Sequence, residues 1–62
     1  MNAQEHLRKF ERDWMHDLVL DHPDVPEIDL YHDGLQAYMA QEEMSPAVRK
    51  ELSRISGVPV GF

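Results

Sequence analysis

Apolar residues in the first third of the chain recur at intervals of three and four: Ala3, Leu7, Phe10, Trp14 and Leu18. That spacing places them in one stripe along an α-helix. Asn2, followed three positions later by Glu5, fits a capping box, in which each side chain accepts the other residue's free backbone N–H. The pattern predicts a helix over residues 3–20. Met15 and Val19 widen the stripe to one side, giving more apolar width than a helix with a single neighbour needs and predicting a second contact surface. The prolines of "DHPDVP" lack an N–H and push the residue before them toward extended geometry, so a turn is expected after Asp21.

Helical spacing resumes at Ile28, Tyr31, Leu35 and Tyr38, and Asp24 with Glu27 matches a second capping box around Pro26. These signals predict a helix over 25–43, weakened at Gly34 by about 1 kcal/mol relative to alanine. The alternative is an extended "VPEIDLY" ahead of a shorter helix capped by Asp33 and Gln36. The last unit is punctuated at both ends: Ser45 as cap, Pro46 at the first helical position, Gly57 just past the end and Pro59 beyond it. A helix over 46–56 follows, with Val48, Leu52 and Ile55 as its buried edge and "GVPVGF" as an apolar tail over 57–62. The expected fold is all-α, a hairpin of two longer helices closed by a short third one, in a single domain spanning 1–62.

Size limits what such a fold can do. A chain of 62 residues buries only about 60% of the surface its unfolded form exposes, which leaves a thin core and little room for a pocket. It contains no cysteine, which removes disulfides, thiolate zinc sites and cysteine nucleophiles together. A core this thin predicts a homodimer, with Met15, Val19, Tyr31, Tyr38, Val58, Val60 and Phe62 along the apolar interface. No apolar run approaches bilayer length and the first residues lack the apolar stretch of a signal peptide, so a cytoplasmic protein is expected.

Charge changes the picture most. Between Asp13 and Val48 there is no lysine or arginine, whereas Asp13, Asp17, Asp21, Asp24, Glu27, Asp29, Asp33, Glu42 and Glu43 all lie there. The basic residues sit outside it, Arg8, Lys9 and Arg12 on one side and Arg49, Lys50 and Arg54 on the other, for a formal net charge of −6. Asp13, Asp17 and Asp21 repeat at four-residue steps, a line with about 6 Å between neighbours beside the apolar stripe. Like charges repel there, and the C-terminal end of a helix disfavours acids by some tenths of a kcal/mol each. A solvated face that aids solubility accounts for any one of them. The unbroken run instead suits a surface that steers basic partners and repels nucleic acid.

Other chemistry finds weaker footing. His6, His16, His22 and His32, with Asp17, Asp21 and Asp24 as co-ligands, match no zinc-finger or paired-histidine spacing. "DLYHDG" places Tyr31 and Ala40 where a calcium loop needs oxygen ligands. With neither a phosphate loop nor a nucleophile motif, no enzyme, cofactor or metal is expected. "LSRISGVPV" resembles the second helix and turn of helix-turn-helix proteins, which implies a DNA-binding half-motif with no recognition helix before Phe62. A helix C-cap followed by proline accounts for the same residues.

The leading expectation is an acidic, protein-binding inhibitor or modulator, of the compact kind typical of phages and mobile elements. It would present Asp13, Asp17, Asp21, Asp24, Glu27, Asp29 and Asp33 to a basic, nucleic-acid-handling protein. One alternative is an adaptor or assembly protein that grips its partner through the apolar side and the C-terminal tail. A second is a transcriptional regulator built on the partial helix-turn-helix.

Overall fold

The computed structural model describes residues 1–60, and the fold is all-α. The first helix begins at Ala3 behind the expected capping box, with the Glu5 N–H donating to Asn2 Oδ1 at 2.9 Å and the Asn2 N–H to Glu5 Oε1 at 3.1 Å. It is α-helical over Ala3–Lys9, π-helical over Phe10–Met15 and α-helical again over His16–Asp21. Lys9, Phe10, Met15 and His16 all keep right-handed helical dihedrals, so the rod is continuous and merely wider in its middle. A π turn holds more residues per turn than an α turn. That explains the doubled apolar positions Trp14–Met15 and Leu18–Val19: all four are half-buried, because the stripe shifts sideways as it crosses the wide turn.

His22 ends the rod, its N–H donating to the Leu18 carbonyl at 2.9 Å. The second helix runs Glu27–Gln41, shorter at both ends than expected. The Asp24–Glu27 box does not form; Pro26 occupies the cap with no side-chain bond, and its carbonyl accepts from the Asp29 and Leu30 N–H groups. Glu27 and Asp29 in the first turn are favoured there by the backbone dipole instead. The third helix, Pro46–Ser56, follows the sequence reading at both ends: Ser45 Oγ accepts from the Val48 N–H at 3.2 Å, and Gly57 takes the left-handed φ of 74°. Beyond it, residues 58–60 are not helical and are tied to the body. Ser53 Oγ donates to the Val58 carbonyl at 2.6 Å, and Gln36 Nε2 donates to the Pro59 carbonyl at 3.0 Å.

As expected, a single helix spans Gly34. The glycine is also a contact point. A Cβ there would stand 2.6 Å from Leu18 Cδ1 and 3.3 Å from Phe10 Cζ, so the missing side chain is what lets the first two helices approach. Around this contact Phe10, Leu35, Tyr38, Met39 and Leu52 are fully buried, with Ala3 and Val58 nearly so. Phe10 meets the rings of Tyr31 and Tyr38 edge-on at 5.7 and 5.6 Å, and Trp14 meets Tyr38 at 5.2 Å. Ile28, expected on the buried stripe, is 77% exposed, and Leu30 is buried in its stead. The third helix packs chiefly on Ala3–Lys9, while His16–Asp21 packs on the second helix. The body measures 34 × 19 × 18 Å.

Candidate functional site

All seven carboxylates singled out in the middle of the chain are exposed. Asp13 accepts from Arg12 Nε at 2.9 Å and Nη2 at 3.2 Å, and that guanidinium holds its carboxyl below the ordinary range. Asp33 lies 3.2 Å from His32 Nδ1. Asp17, Asp21, Asp24, Glu27 and Asp29 have no ion pair among the described residues. Of the terminal cations, Lys9 and Arg54 are engaged elsewhere. Lys9 Nζ donates to Glu42 Oε1 at 2.9 Å, and Arg54 pairs with Glu51 one turn before it. The acidic stretch therefore keeps most of its charge uncompensated.

The carboxylates do not share one face. Two grooves flank the seam between the first two helices. The first, about 380 Å³, is floored by Trp14, Leu18, Leu30, Gly34 and Ala37 and closed at the turn by His22 and Val25. Asp33 stands on its second-helix bank. A smaller depression of about 190 Å³, adjoining it through Trp14 and Leu18, carries Asp13, Asp17 and Asp21 on the first-helix bank. The other groove holds Met15, Val19, Leu20 and Tyr31, with Glu11, His16 and Glu27 around them. Asp24 lies in the turn and Asp29 in the first turn of the second helix.

The expected apolar interface divides in a similar way. Met15, Val19 and Tyr31 line the second groove together, and Val60 is 37% exposed. Tyr38 and Val58 do not belong to any such surface, because both are buried in the chain's own core. The Tyr38 hydroxyl shares a 2.7 Å buried hydrogen bond with His6 Nδ1. Burial pushes the His6 pKa below and the Tyr38 pKa above their ordinary values, so both stay neutral near pH 7. Phe62 lies outside the described residues.

Among the described residues no group of three histidine, aspartate or glutamate side chains is placed to hold a metal, and no helix is long and apolar enough to cross a membrane. Two exposed apolar residues escaped the sequence reading: Leu20, 66% exposed, and Ile28. Their signal was present in the absence of anything apolar and large in the turn that could cover them, since "DHPDVP" offers only Val25. The first groove escaped it as well, because it depends on the side chain Gly34 lacks. The chain matches no protein-family model, and no curated protein or solved structure is significantly similar to it.

Proposed function

We propose that this is a binding protein and not an enzyme, a small acidic inhibitor or modulator whose carboxylates engage a basic surface on another protein, of the kind that handles nucleic acid. One observation supports it most directly: Asp17, Asp21, Asp24, Glu27 and Asp29 are exposed around the turn joining the first two helices and have no ion pair among the described residues. Uncompensated like charges cost local stability, and a surface that keeps them offers a cationic partner both steering and counter-charges. The finer architecture belongs to the same reading: the first two helices form an antiparallel hairpin, and two copies associate along Met15, Val19 and Tyr31, which leaves Asp17 and Asp21 outward. Partners captured from lysate at about 50 and about 500 mM salt test it, because screening shortens to a few Å at the higher value. The expected partner is lost at high salt and is equally lost to an Asp17→Asn/Asp21→Asn/Asp24→Asn variant. Retention by that variant at both salts would discard the reading.

The exposed Leu20 and Ile28 favour a second reading, an adaptor that grips through its apolar side. Its partner would survive high salt and be lost to Leu20→Ser/Ile28→Ser. Of the tail's described residues, Val58 is buried and Pro59 is hydrogen-bonded to Gln36.

A further inference from the structure

The groove beside Gly34 combines two properties that a merely soluble surface does not need together. Its floor is apolar, made by the half-buried Trp14 and Leu18, the buried Leu30 and the bare backbone of Gly34. Its surroundings are acidic: Asp33 lines the groove itself, and Asp13, Asp17 and Asp21 line the depression that adjoins it through the shared Trp14 and Leu18. No lysine or arginine lines it. Arg12 reaches only Asp13, at the end of the row away from the turn, and that pair is exposed and weak. We propose that this groove seats an amphipathic basic helix of a partner protein, its apolar side chains on the Trp14–Leu18–Ala37 floor and its lysines or arginines on Asp17, Asp21 and Asp33.

The helical form of the occupant follows from spacing. Asp17 and Asp21 are four residues apart on one helix, a rise of about 6 Å, which is the spacing of cations four residues apart on an opposing helix. An apolar stripe flanked by such cations is the form in which helices enter grooves. The floor removes apolar area from water, whereas the banks select sign and register. The proposal rests on the acidic protein-binding reading and adds to it where the partner's apolar residues go.

Trp14 is the one tryptophan of the chain and lines the groove, so its emission reports occupancy. The test titrates the protein with a synthetic helix of about 18 residues carrying leucine at i, i+3, i+4 and i+7 and lysine on both flanks. The same peptide with every leucine changed to alanine serves as control, unaltered in charge. The leucine peptide is expected to bind with a blue shift of Trp14 emission, and the alanine peptide about tenfold more weakly. Ala37→Gln fills the groove from an exposed position of the second helix without changing the charge, and glutamine suits a helix. It should weaken the leucine peptide about tenfold while leaving circular dichroism unchanged.

Equal binding of the two peptides, a silent Trp14 or a silent Ala37→Gln overturns the groove proposal and leaves the carboxylate reading standing. Failure of both peptides to bind at low salt removes both. A Trp14 shift that depends on protein concentration alone, with the sedimenting mass doubled, puts a second copy in the groove and overturns the basic helix as its occupant.

Discussion

The two ends of this molecule obey different rules. At one, Ala3–Lys9, the end of the second helix and the third helix enclose Phe10, Leu35, Tyr38, Met39 and Leu52 with no exposed surface on any of the five. At the other, from His16 to Asp29, not a single residue is buried, and acids and exposed apolar side chains stand side by side. The cations divide accordingly, with Arg8, Lys9, Arg49, Lys50 and Arg54 at the first end, Arg12 between the two and none at the second. Stability is concentrated where the third helix closes the core, which frees the turn end to carry charge and apolar area that serve contact with something else. Burial and availability exclude each other in a chain this short.

The sharpest way to break that contrast is Phe10→Ala. Truncating a fully buried aromatic costs about 3–5 kcal/mol, against a total of roughly 3–9 kcal/mol for a domain of this length. Helical circular dichroism should be largely lost at 25 °C. Gly34→Val tests the seam between the two ends: its side chain must displace Leu18 and press on Phe10, an overpacking cost of about 1–3 kcal/mol that urea titration would read.

A smaller effect comes from the buried His6–Tyr38 pair. The His6 pKa is depressed, first by burial and then by the positive N-terminus. The unfolded chain therefore takes up a proton near pH 6.5 that the folded chain resists, and stability, fully present above that pH, is lost as pH falls below it. Melting temperature should be flat from pH 8 to 7 and decline from about pH 6.5 downward, a window above the carboxylate range. His6→Gln should flatten the decline, and a slope unaltered by that change would show that another group causes it.

At the turn end the sign reverses. Asp21→Lys removes an acid from the last helical turn and should raise stability by about 0.3–1 kcal/mol, while weakening any basic partner. Ile28→Ser should leave the free energy of unfolding, read by urea titration, within about 0.5 kcal/mol of the original, since it uncovers nothing. A loss above 1 kcal/mol would mean that Ile28 is covered in solution.

Legibility in the sequence follows the same division between local and distant causes. The third helix could be read residue by residue, because Ser45, Pro46 and Gly57 act within four positions of themselves. The first helix start could be read for the same reason through Asn2 and Glu5. The start of the second helix misled: Asp24 and Glu27 have the right spacing for a box, yet Pro26 cannot donate and its own carbonyl opens the helix. Ile28 satisfied the helical period and still faces water, since periodicity names a face without saying whether anything covers it. The His6–Tyr38 bond spans 32 positions and leaves no local trace. For the candidate surface, the carboxylates were legible as a charge run, but their spread over the grooves, the turn and the first turn of the second helix was not. That spread depends on how the two helices dock, which no local spacing records.

The π turn at Phe10–Met15 has a further consequence for how this chain tolerates change in length. A π turn already holds about one residue more than an α turn, so deleting one position inside it would restore ordinary winding while the two halves of the rod keep their relative rotation. The same deletion in a flanking α segment would turn the halves by about 100°, swinging His6 away from Tyr38 or the Asp17–Asp21 ridge away from Asp33. A single codon lost from Phe10–Met15 would therefore leave a helix whose ends still agree on which way is inward.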